Sequence, residues 1–291
     1  MILKGCGTAL VTPFKSDGSV DYTAYAAMVR RQVAAGVHFL VPLATTGETP
    51  TLTSEEKVKI LQIVKENAPK IPVMIGVGAN NLPGTLANIE LLAPQKPDAL
   101  LVVVPFYNKP TQQGQYEYFK AVAEATDIPI VIYNVPGRTG ANMLPDTVIR
   151  LAETVPGIIG IKEASGKYDQ VSEIIRRAPK DFCILSGDDD MTFAFMASGA
   201  HGVVSVASNI APAEVSQMAW ALLRGDIPTA RELHHRLFPL FKACFVESNP
   251  VPAKAALALL GQMEATVRLP LSEATPQTRD LMKKVLNDLW K

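Results

Sequence analysis

The chain has 291 residues, 48% hydrophobic and 19% charged, which is too apolar for disorder and long enough for one large α/β domain. Basic and acidic side chains balance at 28 each, which argues against a nucleic-acid or anionic-membrane surface. Met1 to Phe14 lack the apolar stretch of a signal peptide, and no apolar run reaches membrane-spanning length. Cys6, Cys183 and Cys244 sit far apart among apolar residues, as reduced core thiols of a cytoplasmic protein would.

Short apolar runs alternate with helical patterns along the chain. The strand candidates are Gly7–Val11, His38–Pro42, Val73–Val77, Ala99–Val104, Ile130–Tyr133, Ile158–Lys162, Phe182–Ser186 and Gly202–Val206. The first helix starts after Asp21, a plausible N-cap, and carries Tyr25, Met28, Val29 and Val33 on one face before Gly36. Thr53-Ser54-Glu55-Glu56 reads as a capping box for the second. Further helices fit near Pro83–Leu92, Gln113–Ala125, Pro145–Glu153, Tyr168–Arg177, Asp190–Ala197 and Pro212–Leu223. Beyond Asp226 three helical stretches follow without strands, near Ala230–Val246, Pro252–Leu260 and Thr275–Trp290.

Strands separated by helices imply parallel pairing through right-handed crossovers. The fold expected is a (β/α)8 TIM barrel over residues 1–226, with a C-terminal helical domain over 227–291. An open doubly wound sheet would place a glycine-rich turn after its first strand, where this chain has Thr12-Pro13-Phe14.

In such a barrel the chemistry lies at the C-terminal ends of the strands. Those ends carry Thr45 and Thr46, Tyr107, Tyr133, Arg138, Lys162 and the run Ser186-Gly187-Asp188-Asp189-Asp190. A lysine ending a buried strand is desolvated, which favours the neutral amine that attacks a carbonyl. Tyrosine and threonine hydroxyls can shuttle the protons of imine chemistry, Thr45 and Thr46 can hold a small carboxylate, and Arg138 can grip a second one. Each residue has a plainer reading. Tyr133 can cap a core, Tyr107 can anchor an interface, Arg138 can form a structural ion pair, and the three aspartates fit N-capping and a solvated loop better than a metal site. Gly76 and Gly78 form a GxG too short for a nucleotide site. The four histidines show no metal-ligand spacing with the cysteines.

Thr45-Thr46-Gly47-Glu48, Tyr133-Asn134-Val135-Pro136, Arg138-Thr139-Gly140, Gly160-Ile161-Lys162-Glu163, Leu185-Ser186-Gly187-Asp188-Asp189 and Asn249-Pro250-Val251-Pro252 together resemble the dihydrodipicolinate synthase family, in order from Gly5 to about Pro270. That family is similar in fold to N-acetylneuraminate lyase and the 2-keto-3-deoxy-sugar-acid aldolases, and the Arg138-Thr139-Gly140 segment favours the synthase. The resemblance implies that Lys162 forms a Schiff base with pyruvate and that Tyr133, Thr45 and Tyr107 form a proton relay. It implies that Thr46, Arg138, Gly187 and Val204 bind substrate, with Arg138 on the carboxylate of L-aspartate 4-semialdehyde. It further implies that no metal or organic cofactor takes part, and that the residue matching Tyr107 enters the site from a neighbouring subunit of a homotetramer. The lysine-inhibited branch of the family has histidines and a tyrosine where this chain has Ser54, Lys57 and Phe106, so inhibition by lysine is expected to be weak or absent.

Overall fold

The structure, a computed structural model, describes residues 3–291. Eight parallel strands, each followed by at least one helix, form a TIM barrel. The order of elements is β1 (Gly5–Ala9), α1 (Tyr22–Ala34), β2 (Phe39–Val41), α2 (Ser54–Asn67), β3 (Met74–Gly76), α3 (Leu82–Leu92), β4 (Ala99–Val103), α4 (Gln112–Glu124), β5 (Ile130–Asn134), α5 (Pro136–Thr139), α6 (Pro145–Thr154), β6 (Ile158–Glu163), α7 (Tyr168–Arg177), β7 (Cys183–Ser186), α8 (Thr192–Ala197), β8 (Gly202–Ser205) and α9 (Pro212–Leu223). Three helices extend the barrel: α10 (Ile227–Ala243), α11 (Val251–Leu259) and α12 (Pro276–Leu289). The ladder runs β2-β1-β8-β7-β6-β5-β4-β3, and a parallel bridge between Leu40 and Val73 joins its two ends.

Local chemistry sets the helix ends. Asp21 accepts from the Ala24 amide at 2.9 Å to start α1, and Thr53 and Glu56 form the reciprocal capping box of α2. The last segment but two is displaced from its sequence reading: α10 starts at Ile227 rather than Ala230. Asp226 caps it by accepting from the Thr229 amide, and Pro228 sits in the first turn, where no backbone N–H is needed. The first strand also shifts, to Gly5–Ala9, because its ladder with β8 begins at Gly5 opposite Gly202. The stretch expected as Asp190–Ala197 divides into a 3-10 turn over Asp189–Met191 and the short α8. Among the elements without a sequence signal of their own are the one-turn helix α5 and the 3-10 turn over Thr45–Gly47.

Strand alternation sorts side chains into two cores. Phe39, Val41, Met74, Leu101, Val131, Tyr133, Leu185 and Val204 fill the barrel interior. Leu40, Ile75, Leu100, Val102, Ile132, Ile161 and Ile184 face outward into the layer beneath the helices. Within β6 the same alternation turns Lys162 inward and Glu163 outward, and a one-residue slip would exchange them. Lys162 pairs across the ladder with Tyr133 on β5 and Leu185 on β7, which fixes that register.

Candidate active site

A cavity of about 520 Å³ opens at the C-terminal ends of the strands. Its lining includes Thr45, Tyr133, Arg138, Phe106 and Asn249. Lys162 lies deeper, with only 5% of its surface exposed, and its Nζ sits 4.0 Å from the centroid of the Tyr133 ring. Among the described residues no hydrogen bond or ion pair engages that Nζ. An ammonium here has an aromatic face for company and little water.

Gly187 explains how the lysine chain fits. A β-carbon at that position would lie 3.0 Å from Lys162 Cε and 2.6 Å from the Ala164 β-carbon, so the absence of a side chain gives Lys162 its path to the mouth. Val204 is buried in the interior cluster with Leu185 and Tyr133. The glycines of the GxG segment also have packing reasons. A β-carbon on Gly76 would lie 2.0 Å from the Leu43 carbonyl oxygen, and one on Gly78 would lie 2.6 Å from the Val103 amide nitrogen.

Thr45, Thr46 and Gly47 form the 3-10 turn beyond β2. Thr46 is buried, and its Oγ1 accepts a hydrogen bond of 2.9 Å from Asn249 Nδ2, a residue of the C-terminal extension. Thr45 is half-buried and faces the cavity. Arg138 stands on α5 at the opposite rim, exposed, with no side-chain partner among the described residues. Tyr107 is elsewhere: it is 85% exposed, lies outside the cavity lining, and holds a left-handed backbone with φ 73°. That conformation is costly for a tyrosine and marks a constrained position. One chain therefore brings Lys162, Tyr133, Thr45, Thr46, Arg138, Gly187 and Val204 to one barrel end and leaves Tyr107 pointing away.

Two polar assemblies brace this end, and neither was singled out from the sequence. Glu163 is fully buried and accepts from Asn134 Nδ2 at 3.2 and 3.1 Å, from Gln170 Nε2 at 2.9 Å and from the Ser165 amide at 2.8 Å. Burial raises its carboxyl pKa, and the Gln170 and Asn134 bonds oppose that rise. The network ties the ends of β5 and β6 to α7, next to Lys162. On the other side Glu48, also buried, pairs with Lys254 at 2.6 Å.

The aspartate run differs from its expected role, since none of the three carboxylates caps a helix. Asp189 is buried and accepts from the Val206 and Ala207 amides at 3.0 Å, anchoring the loop after β8. Asp190 pairs with Lys242 of α10 at 3.0 Å. Asp188 is half-buried, and burial, reinforced by Asp190 and opposed by Lys162, raises its pKa to about 6.

Known proteins place this arrangement. The model of the dihydrodipicolinate synthetase family matches residues 2–289. The chain belongs to that family. A 4-hydroxy-tetrahydrodipicolinate synthase of Koribacter versatilis is 49% identical over 287 residues, spanning 98% of this chain and 95% of the relative. The crystal structure of a dihydrodipicolinate synthase from Thermotoga maritima superimposes with a TM-score of 0.97 at 43% identity, covering 99% of each chain. A monomeric dihydrodipicolinate synthase variant also gives 0.97 at 43% identity, covering 99% of this chain and 97% of its own. Among the described residues no helix is long and apolar enough to cross a membrane.

Proposed function

We propose that this member of the dihydrodipicolinate synthetase family condenses pyruvate with L-aspartate 4-semialdehyde to give 4-hydroxy-tetrahydrodipicolinate, the step that commits carbon to diaminopimelate and lysine. The observation that carries the reading is a buried lysine, Lys162, whose Nζ has no polar partner among the described residues and lies 4.0 Å from the ring of Tyr133, which lines a cavity together with Thr45 and Arg138.

The chemistry follows from the positions. The Lys162 amine attacks the keto carbon of pyruvate and water leaves, forming an imine. Thr45 and Thr46 hold the pyruvate carboxylate on the β2 side. Loss of a methyl proton gives an enamine, whose carbon attacks the aldehyde of the semialdehyde, and the aldehyde oxygen takes up a proton. The amino group of the second substrate then attacks the imine carbon. That step displaces the Lys162 amine and closes the ring. Arg138 binds the semialdehyde carboxylate with its fork of donors. Tyr133 and Thr45 move the protons of these steps with Tyr107 of a second copy of the chain, whose exposed, strained backbone in this chain fits a residue delivered elsewhere. Gly187 and Val204 shape the pyruvate pocket. The working assembly is a homotetramer in the cytoplasm, where the free, buried Cys6, Cys183 and Cys244 stay reduced. Inhibition by lysine is weak, because Ser54, Lys57 and Phe106 stand where the inhibited branch of the family carries histidines and a tyrosine.

Borohydride reduction in the presence of pyruvate, followed by peptide mapping, tests the reading. An adduct on Lys162 is expected, and an unlabelled Lys162 sinks it. Turnover with the semialdehyde, set against cleavage of N-acetylneuraminate and 2-keto-3-deoxygluconate, separates the synthase from a sugar-acid aldolase.

A further inference from the structure

The chain buries a second lysine. Lys254, on α11 of the C-terminal extension, is fully buried, and its three N–H directions are all used. Its Nζ donates to Glu48 Oε1 at 2.6 Å and to the Thr266 carbonyl at 2.7 Å, and lies 4.1 Å from the centroid of the Phe14 ring. The second oxygen of Glu48 accepts from the Arg268 amide at 3.0 Å. Glu48 itself directly follows Thr45-Thr46-Gly47 and holds a left-handed backbone with φ 53°.

A buried ion pair contributes little to stability compared with apolar groups of the same size, because both charges lose their water. The extension has apolar surface enough for docking: Leu237, Leu240, Phe241 and Met282 of α10 and α12 all join the main core. Packing alone therefore leaves the pair without a reason. Its position supplies one. Lys254 and Arg268 hold Glu48 in a conformation that non-glycine residues avoid. Two residues earlier Asn249 Nδ2 donates to Thr46 Oγ1, and Thr12 Oγ1 donates to the Gly47 carbonyl at 2.8 Å. With its oxygen occupied as an acceptor, the Thr46 hydroxyl keeps its proton free to donate.

We propose that Lys254 is a positioning residue for the carboxylate-binding turn: through Glu48, and together with Asn249, it sets Thr45 and Thr46 in register for pyruvate, so that pyruvate binding depends on the docked C-terminal extension. This rests on the reading of the cavity as a pyruvate site. Lys254 touches no substrate. Arg138 stands on the opposite rim and is untouched by the pair.

Steady-state kinetics on the full-length enzyme tests the inference. Lys254→Met is expected to raise the pyruvate KM about tenfold to a hundredfold while the semialdehyde KM moves by no more than about twofold. The pyruvate concentration needed for half-maximal borohydride trapping should rise with it. If Lys254→Met does not fold, Asn249→Ala, which leaves the ion pair intact, decides by the same split. Unchanged KM values with only a smaller active fraction, or an equal rise in both, overturn the proposal. A lack of any Lys162 adduct in the unsubstituted enzyme overturns instead the pyruvate reading beneath it.

Discussion

Two buried lysines occupy opposite sides of the barrel mouth, and they differ in what surrounds the amine. Lys254 has a carboxylate, a carbonyl and an aromatic face for its three N–H groups. Lys162 has the Tyr133 ring, and the nearby Asp188 makes no ion pair with it among the described residues. Burial is common to both, so burial does not mark the reactive one. Satisfaction does: burial lowers the Lys254 pKa to about 8 and Glu48 opposes that, while losing its proton would forfeit a complete set of contacts. A lysine without such contacts gives up little when it becomes a nucleophile.

The sharpest way to break this contrast is to replace each by methionine. Lys162→Met should cut turnover by at least about a thousandfold and abolish the borohydride adduct. Its urea midpoint should stay level or rise, since an unpartnered buried amine is being replaced by an apolar chain. Lys254→Met should lower stability by about 3–5 kcal/mol, because Glu48 is left buried with a single backbone donor. Equal destabilisation in the two variants would erase the distinction.

A second contrast separates the two carboxylate grips. Thr46 is buried and braced by the extension, whereas Arg138 is exposed and has no side-chain partner among the described residues. Arg138→Ala should therefore raise the semialdehyde KM by about tenfold to a hundredfold, or roughly 1.4–2.8 kcal/mol, with pyruvate trapping near normal. Its stability should stay within about 0.5 kcal/mol, as for most surface changes. Equal loss for both substrates would contradict the assignment.

Much of this was legible because periodicity and strand-end placement are local signals. The eight apolar runs fix the barrel, and the β6 run ends on Lys162 at the end where chemistry gathers. What escaped is non-local. Nothing near Glu48 announces Lys254, 206 residues away, and nothing near Glu163 announces Gln170 and Asn134 as its donors. A buried carboxylate and its partner look like two solvated charges in sequence, and only the fold reveals that they share one desolvated space. The aspartate run misled for the same reason: three adjacent acids read as one loop, yet they have three different environments. Gly187 was carried as a binding residue by resemblance, and its close approach to Lys162 supplies the physical reason. Gly187→Ala should accordingly cost about 1–3 kcal/mol of stability and slow imine formation, as the added methyl displaces Lys162 or Ala164. Normal trapping kinetics would show that the lysine does not need that path.

The smallest effect concerns Asp188, the carboxylate that stands to Lys162 as Glu48 stands to Lys254 but without the ion pair. Its pKa is raised from 3.8 to about 6, chiefly by burial. The folded chain thus keeps a proton that the unfolded chain loses between those values. Stability falls as pH rises through that window, and the full penalty persists above it. Asp188→Asn has no such penalty. It should be more stable than the parent chain by about 1 kcal/mol near pH 8, a figure reduced for partial exposure, and indistinguishable from it below about pH 3.5. Urea unfolding at the two pH values measures the difference. A gain that does not change with pH would mean that Asp188 is as well accommodated as Glu48, and the asymmetry between the two lysines would then lie in Lys162 alone.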